Sequence, residues 1–344
     1  MLERFLLPAS WLYGSLVWLR NRCYDARLFG AVRAGVPVIS VGNLTAGGNG
    51  KTPFVEYLVQ YFMGERKKVA VLSRGYLRTT RGTVVVSDGD TVRETAERSG
   101  DEPYQIARRF PGAVVISDES RAKSARIAVD RYHADVILLD DGFQHRGIGR
   151  DLDIVMIGES PAATPMLPAG SRREPLSSLR RAGLLVVSGP AGRSAGQNGL
   201  VRYSAAPEVR VRFVPDRVSP LFGGKDLATE DLRGKSVFAF SGIANPSRFT
   251  EMLKEMGAVM RDSMTYPDHH PYPADDLQRI KGRYDRSGAA MMVTTEKDAV
   301  RLGGMESESP LKGMPVYFVR IRTEIVEGRE LLHSLLERTV GGTT

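Results

Sequence analysis

Six short apolar runs, separated by stretches with a helical pattern, constrain the fold of this 344-residue chain most strongly. They lie at residues 38–41, 69–72, 114–116, 136–139, 154–157 and 184–187. Apolar runs without alternating polar residues are typical of strands that are buried on both faces, and such strands belong to parallel sheets. The sequence therefore predicts an α/β fold with a mostly parallel sheet that helices cover on both sides.

Three further apolar runs, at 236–240, 291–294 and 316–319, predict a second, smaller α/β unit with helices near 247–256 and 329–338. Between the two units the chain alternates apolar residues with arginine at 209–214, which predicts an exposed hairpin or a connector strand. The composition of 188–199 predicts a loop. The predicted parts are an N-terminal helix at 1–30, a first α/β domain at 31–208, a hairpin-like linker at 209–222 and a C-terminal α/β domain at 223–344.

Composition narrows the class of protein. With 42% hydrophobic and 26% charged residues, the chain is neither a polytopic membrane protein nor a disordered segment. Its one cysteine, Cys23, excludes a disulfide scaffold and a thiolate zinc site, and it favours a reducing compartment. The net charge of +8 indicates an anionic partner, which could be nucleic acid, a phosphorylated substrate or an anionic membrane surface.

The N-terminal segment from residue 5 to residue 19 carries no charge. As a helix it would reach roughly 22 Å, which is short of the ~30 Å hydrocarbon core of a membrane. Ser10 is predicted to cap a helix that begins at Trp11. Tryptophans on an apolar face, followed by Arg20 and Arg22, suit a helix that lies in the headgroup region of an anionic leaflet. A helix packed on the body of its own protein is the alternative.

A glycine-rich segment follows the first apolar run and opens a helical stretch. It reads Thr45, Ala46, Gly47, Gly48, Asn49, Gly50, Lys51 and Thr52, a P-loop with Thr45 in place of the first glycine. Glycines let backbone N–H groups approach phosphate oxygens, the lysine reaches the β- and γ-phosphates, and the threonine hydroxyl ligates Mg²⁺. The segment therefore predicts nucleotide binding with Mg²⁺.

Two adjacent carboxylates, Asp140 and Asp141, stand directly after the apolar run at 136–139. Placing two carboxylates together at a strand end is costly unless a cation neutralises them. We therefore predict that Thr52, Asp140 and Asp141 form a Mg²⁺ site, without deciding which aspartate touches the ion. Lys297 and Asp298 are adjacent, which is not the spacing of a guanine-recognition sequence, and this weakens the case for GTP.

Eight segments together carry a resemblance to a known family. They are VGNLTAGGNGKTP (41–53), LSRGY (72–76), GDEP (100–103), DDGFQHR (140–146), REPL (173–176), GIANPSRF (242–249), DHH (268–270) and TTEKDAVR (294–301). In these segments the chain resembles the lipid A 4′-kinase family, the tetraacyldisaccharide 4′-kinases. DDGFQHR in combination with the P-loop is the most specific part of the match.

The resemblance implies transfer of the γ-phosphoryl group of ATP to the 4′-hydroxyl of an acylated disaccharide 1-phosphate lipid. It implies work at the cytoplasmic face of the bacterial inner membrane, with a P-loop kinase domain, a membrane-associating N-terminal helix and an active site between two α/β domains. By motif, Asp101 becomes the general base, His269 its partner from the second domain, and Arg173 a stabiliser of phosphoryl charge beside Lys51. His270 and Arg172 remain alternatives for the last two roles.

Two other classes of function compete with this interpretation. A P-loop switch NTPase that acts on a protein partner would share the glycine-rich segment, but it needs neither the GDEP carboxylate nor a histidine from a second domain. A nucleic-acid-binding protein would account for the charge, but the chain lacks the basic segment interleaved with aromatic residues that such binding usually shows. We therefore expect a lipid substrate and a membrane surface as partners, with no nucleic acid and no obligate protein partner.

Overall fold

The computed structural model describes residues 2–48, 50–158, 164–189, 200–303 and 309–342, apart from the side chains of residues 2–4 and 201. The helices in these ranges are α1 (Leu2–Asp25), α2 (Lys51–Gly64), α3 (Ala96–Ser99), α4 (Asp101–Arg109), α5 (Arg121–Asp130), α6 (Pro246–Glu255), α7 (Ala274–Ser287), α8 (Glu296–Leu302) and α9 (Arg329–Gly341). The strands are β1 (Val38–Asn43), β2 (Val69–Ser73), β3 (Val84–Asp88), β4 (Val114–Ser117), β5 (Val136–Asp140), β6 (Leu152–Ile157), β7 (Leu184–Ser188), β8 (Glu208–Pro220), β9 (Ser236–Ser241), β10 (Val259–Thr265), β11 (Met291–Thr295) and β12 (Val316–Glu327).

The described strands form one sheet in the order β10-β9-β11-β12-β8-β7-β6-β1-β5-β2-β4-β3. Neighbours in it are parallel except for two antiparallel pairs, β8 with β12 and β3 with β4. The α/β class and the mostly parallel sheet are therefore confirmed, and each predicted apolar run forms a strand. The sequence did not predict β3 and β10, which lie at the two edges of the sheet, where a strand has only one neighbour and needs less apolar surface.

Helices cover both faces of the first part of the sheet. Leu58 of α2, Ile106 of α4 and Leu332 of α9 are buried on one face, together with alternate residues of β1, β2, β4 and β5. Ala125 and Ala128 of α5 are buried against the other residues of the same strands. Because successive side chains of a strand point to opposite faces, strands with continuous apolar sequence require a helical layer on each side.

The second part of the sheet is covered in the same way. Phe249 of α6 packs on Val237 and Ala239, whereas Leu277 of α7 packs with Phe238 and Phe240. The long strands β8 and β12 run antiparallel through the middle of the sheet, so 209–214 is a connector strand that extends to Pro220. Of the loop predicted at 188–199, residues 190–199 lie outside the described residues. The domain boundaries stay a prediction.

A partly buried arginine links the first part of the sheet to the second. Arg109, at the end of α4, donates to Glu56 of α2 at 2.8 Å, to Glu296 of α8 at 3.3 Å and to the carbonyl oxygen of Ile321 in β12 at 2.9 Å. Burial and the nearby Glu296 charge raise the pKa of Glu56 to about 8. The two carboxylates therefore share one guanidinium, and the helices α2, α4 and α8 are held at fixed relative positions by this contact.

Helix α1 packs polar side chains against the protein and leaves most of its large apolar side chains exposed. The Ser10 hydroxyl donates to the Met166 carbonyl at 2.9 Å, and the Tyr13 hydroxyl donates to the Arg173 carbonyl at 3.1 Å. The helix begins at Leu2, so the prediction that Ser10 caps a helix starting at Trp11 is wrong, because Ser10 bonds to a distant loop instead. None of the helices within the described ranges is both long and apolar enough to cross a membrane.

Candidate active site

Four neighbouring parallel strands bring the predicted site segments to one edge of the sheet. β1, β5, β2 and β4 are adjacent, with Val41 opposite Asp140 and Ser73 opposite Ser117. The carboxyl ends of parallel strands meet at the same edge, and open α/β sheets bind their ligands outside it. The glycine-rich loop after β1, the aspartates after β5 and the turn after β2 therefore lie together.

The glycine-rich loop joins β1 directly to α2, as the sequence predicts, although Asn49 lies outside the described residues. Lys51 is the first residue of α2, and its Nζ donates to Asn43 Oδ1 at 3.3 Å. The same Nζ lies 3.6 Å from Asp141 Oδ1. The start of α2 thus combines a lysine charge with a helix N-terminus, whose first N–H groups have no partner inside the helix, and this arrangement attracts phosphate.

Asp141 is held by a two-pronged contact with Arg173. The Arg173 guanidinium donates to Asp141 Oδ2 at 2.7 Å and to Oδ1 at 2.9 Å, and it also donates to Asn43 Oδ1. Burial raises the pKa of Asp141, but the Arg173 hydrogen bonds and the Lys51 charge outweigh that effect and hold the pKa below its ordinary value. Asp141 is therefore ionised, and the structure places Arg173 beside Lys51.

Asp140 behaves differently because it is buried without such a partner. Burial and the negative charges of Glu102 and Asp141 raise its pKa to about 7. Its Oδ1 atom is buried and has no hydrogen-bond partner within the described residues. A buried carboxylate oxygen without a partner is a hard-oxygen donor of the kind that Mg²⁺ takes. Asp140 therefore fits the predicted cation, whereas both oxygens of Asp141 accept from Arg173.

Asp101 reaches the same edge through the close packing of two glycines. Gly100 precedes Asp101 and has φ = 98°, and a Cβ atom on it would lie 2.8 Å from the Cα atom of Gly75. Gly75, in the turn after β2, has φ = 66°. Side chains at these two positions would push α4 away from the strand end, so the glycines of LSRGY and GDEP place the carboxylate of Asp101 where α4 begins.

Asp101 and His269 are in contact, although 168 positions separate them in the sequence. Asp101 Oδ2 lies 3.0 Å from His269 Nδ1, whereas His270 Nε2 lies 2.6 Å from Asp276 and its ring stacks on Tyr266. The structure therefore brings His269, and not His270, to the predicted base. Burial raises the pKa of Asp101, but the His269 hydrogen bond and the Arg301 charge outweigh it, so the pKa is lowered.

Comparison with known proteins identifies the family. The family model described as tetraacyldisaccharide-1-P 4′-kinase (LpxK) matches residues 2–340. The chain belongs to this kinase family. It is 37% identical to the tetraacyldisaccharide 4′-kinase of Chlorobium limicola, with 98% of each chain covered, and 40% identical to that of Anaeromyxobacter dehalogenans, with 96% of this chain and 89% of the relative covered.

A crystal structure of LpxK from Aquifex aeolicus in complex with ATP is similar throughout. Its TM-score is 0.81 at 32% sequence identity, and the match covers 99% of this chain and all of the other. The enzyme is accordingly a phosphotransferase of lipid A biosynthesis, and the alternatives of a nucleotide-driven switch and of a nucleic-acid-binding protein are set aside.

The structure adds residues to this candidate site that the sequence did not single out. Asn43, at the end of β1, receives both Lys51 and Arg173 on its side-chain oxygen. Arg301, at the end of α8, donates to Asp101 Oδ2 at 2.7 Å. Asn43 and Arg301 both lie in segments that resemble the family, VGN and TTEKDAVR. Their position in these segments is the sequence feature by which they could have been predicted as site residues.

Arg172 does not take the place of Arg173. Arg172 makes backbone contacts to Pro165 and Leu167, and its buried Nε has no partner within the described residues. Other arginines that the sequence places nearby are paired with carboxylates, Arg180 with Asp25 and Arg181 with Glu174. Of the two arginines that the motif offers, Arg173 is therefore the one that contacts Asp141.

Proposed function

We propose that this kinase transfers the γ-phosphoryl group of ATP to the 4′-hydroxyl of tetraacyldisaccharide 1-phosphate. The observation that carries the proposal is the 3.0 Å contact between Asp101 Oδ2 and His269 Nδ1, at the sheet edge that also holds the glycine-rich loop. Transfer to an alcohol calls for a base within reach of the hydroxyl proton. Family membership supplies the class of the acceptor.

The glycine-rich loop acts as a P-loop in this proposal. Its backbone N–H groups hold the phosphates, and Lys51 exchanges its contact with Asp141 for the β- and γ-phosphate oxygens. Thr52, Asp140 and Asp141 would hold Mg²⁺, which neutralises phosphate charge when it is bound. Arg173 adds a guanidinium that Asp141 already orients toward this edge. The residues of the chain thus supply positioning and charge, which are the main requirements of phosphoryl transfer.

Asp101 is the proton acceptor in this proposal. Within the described residues its side-chain hydrogen bonds with His269 and Arg301 both fall on Oδ2, so we assign Oδ1 as the oxygen that takes the hydroxyl proton. As that proton moves to Asp101, the hydroxyl oxygen forms a bond to the γ-phosphorus and the bond between that phosphorus and the bridging oxygen breaks. ADP leaves with the electron pair of the broken bond. His269 holds Asp101 in one orientation throughout.

Transfer into the lipid tests this function directly. Purified protein is incubated with γ-labelled ATP, Mg²⁺ and tetraacyldisaccharide 1-phosphate in detergent, and label is followed in the extracted lipid. We expect label in the lipid, and none when the acceptor already carries a 4′-phosphate. Label that appears only as free phosphate would contradict the proposal.

The apolar side of α1 suits a membrane surface at the cytoplasmic face of the bacterial inner membrane, where ATP and the lipid acceptor meet. Phe5 is 81% exposed and Trp11 is 72% exposed, and Leu12, Leu16 and Leu19 are also exposed. Each buried methylene contributes about 0.8 kcal/mol of membrane affinity, so a row of such residues binds a bilayer reversibly. The opposite stripe is fixed to the protein by Ser10 and Tyr13.

Replacing Leu12, Leu16 and Leu19 together by glutamate should therefore release the protein from membranes. Deleting residues 1–20 is a poorer test, because it would also remove the Ser10 and Tyr13 contacts. The measurement is the fraction of protein that sediments with anionic vesicles. Val259→Glu with Val326→Glu, two exposed apolar positions on other elements, is the control. Equal sedimentation of both variants would rule out α1 as the membrane-binding helix.

A further inference from the structure

Arg301 lies at the centre of a buried hydrogen-bond network beside the site. Its Nε donates to Asp101 Oδ2 at 2.7 Å, and its Nη1 donates to Asp298 Oδ1 and to the Gly242 carbonyl oxygen, both at 3.0 Å. The side chain is only 6% exposed. One guanidinium therefore links the catalytic carboxylate to two points of the second part of the sheet.

The same guanidinium fixes the backbone that carries His269. The Gly242 carbonyl that accepts from Arg301 also accepts from the His269 N–H, at 3.2 Å. His269 has φ = 60°, a left-handed conformation that is uncommon for residues other than glycine. Arg301 Nη2 lies 3.3 Å from His269 Nδ1. Both members of the Asp101–His269 pair thus contact Arg301.

Asp298 is the member of this hydrogen-bond network whose position is determined by the most donors. It is fully buried, and its carboxylate accepts from the Tyr272 hydroxyl at 3.0 Å, from the Thr295 hydroxyl at 2.6 Å and from the Gly242 N–H at 3.1 Å. Such a carboxylate has little freedom to turn, because several donors determine its position. Arg301 is consequently held in one orientation by Asp298 and presents its Nε to Asp101.

We infer that Arg301 is a positioning residue, which orients Asp101 so that Oδ1 is directed to the substrate hydroxyl and holds His269 in its left-handed conformation. This inference rests on the proposed function of Asp101 as the proton acceptor. Arg301 acts by occupying Oδ2 together with His269, and by keeping a positive charge beside the carboxylate. Arg301 contacts both Asp101, at the start of α4, and His269, in the loop after β10, and so fixes the two side chains relative to each other.

The elements packed around Asp101 carry other charged and titratable groups, and their titration has to be distinguished from the effect of Arg301 in any pH measurement. They are Glu97 and Arg98 on α3, Glu102 on α4, Lys297 on α8, Asp268 and His269 in the loop after β10, and Tyr76, whose ring meets that of His269 edge-on. Lys297 and Glu102 pair with each other at 3.3 Å. Arg301 is the cation that directly contacts the carboxylate of Asp101 within the described residues.

Two Arg301 variants and one control test the inference in the lipid kinase assay between about pH 3 and pH 9, a range that extends below the ordinary pKa of an aspartate, about 3.9. Arg301→Met should lower kcat about 100-fold, since a small misplacement of a catalytic group costs that much, while KM for ATP changes less than about threefold. The acid limb of its pH–rate profile should move up by about one pH unit, because the carboxylate loses its neighbouring cation. Arg301→Lys keeps the positive charge but loses the planar guanidinium that makes several hydrogen bonds at once. We therefore expect kcat to fall while the acid limb of the pH–rate profile remains at the same pH.

Arg283→Met is the matched control, because Arg283 also makes a two-pronged contact with an aspartate, Asp262, but on the surface. It should behave as the unmodified enzyme. An Arg301→Met enzyme with the kcat and acid limb of Arg283→Met would overturn the inference. If Arg301→Met does not fold, Arg301→Lys decides, and unchanged kcat in that variant overturns the inference equally.

A second measurement keeps this inference distinct from the proposed function. Carboxyl ¹³C spectra of aspartate-labelled protein, with the Asp101 signal assigned from Asp101→Asn, report the protonation of Asp101 without any turnover. The step in the Asp101 signal should move to higher pH in Arg301→Met, and an unmoved step contradicts the inference. If the unmodified protein transfers no phosphate, the proposed function fails while this measurement still tests Arg301.

Discussion

Replacing Lys51 by methionine should reduce kcat/KM for ATP by about 1,000-fold, because a charge that stabilises the transferring phosphoryl group is lost. Methionine keeps an unbranched side chain of similar reach, so α2 should still begin at residue 51. In the structure the Lys51 ammonium contacts Asn43, Asp141 and the Gly47 carbonyl oxygen, all at the edge where phosphate is proposed to bind. The measurement is initial velocity in the lipid kinase assay across a range of ATP concentrations.

Lys67→Met provides the control for Lys51→Met, because Lys67 is exposed and lies beyond the far end of the same helix. Calorimetric titration with ATP adds a second comparison, in which the Lys51 variant should bind more weakly than the control. Removing Lys51 leaves Asp141 paired with Arg173, so the fold should be retained. Activity of Lys51→Met within tenfold of Lys67→Met would show that the lysine does not serve the phosphoryl group.

The sheet was predictable because its central strands are buried on both faces. In β5, Val136 to Leu139 are all apolar, so the sequence of the strand alone predicts that it is buried, whatever its neighbours are. The edge strand β10 alternates exposed and half-buried residues, so its sequence does not differ from that of a surface loop. The full length of β8 and β12 was also not predicted. Each of these strands is stabilised by pairing with the other, and roughly a hundred residues separate them in the sequence.

The N-terminal helix shows a different limit. Ser10 has the chemistry of a helix cap, but its hydroxyl donates to the Met166 carbonyl and accepts from the Ala169 N–H. These partners lie more than 150 residues away in the sequence, so local preference could not show that the helix continues through Pro8 to Leu2. Local sequence rules held where the backbone itself sets the geometry, and failed where a distant loop supplies the hydrogen bonds.

Some residues of the candidate site could be predicted from short sequence segments, and others could not. Lys51, Thr52, Asp140 and Asp141 follow strands in short segments whose chemistry is local, and the structure gathers them as expected. Arg301 has no such local pattern, because its partners Asp101 and Gly242 belong to other segments. The Asp101–His269 contact came from the resemblance to the family, and its catalytic role stays a prediction. Asp101, His269 and Arg301 are brought together by the topology of the chain, which cannot be derived from a single sequence.

Replacing Asp101 by alanine should lower kcat for lipid phosphorylation by about 1,000-fold while leaving ATP binding close to normal. A general base contributes roughly 10²- to 10⁴-fold, and within the described residues Asp101 contacts His269 and Arg301 but none of the residues of the glycine-rich loop. The Asp101→Asn variant keeps the size of the side chain but cannot accept the proton, so it should be nearly as slow. Both kcat and ATP affinity are measured, by the lipid assay and by calorimetric titration.

Glu97→Gln is the control for the loss of charge, since Glu97 is an exposed carboxylate four residues before Asp101. It should retain the activity of the unmodified enzyme. The alanine variant frees Arg301 and His269 from their shared partner, so a change in melting temperature is expected in it but much less in Asp101→Asn. Because the two variants differ in packing but agree in lacking a base, an equal loss of kcat in both would assign the loss to chemistry. Near-normal turnover in Asp101→Asn would instead require another group to accept the hydroxyl proton.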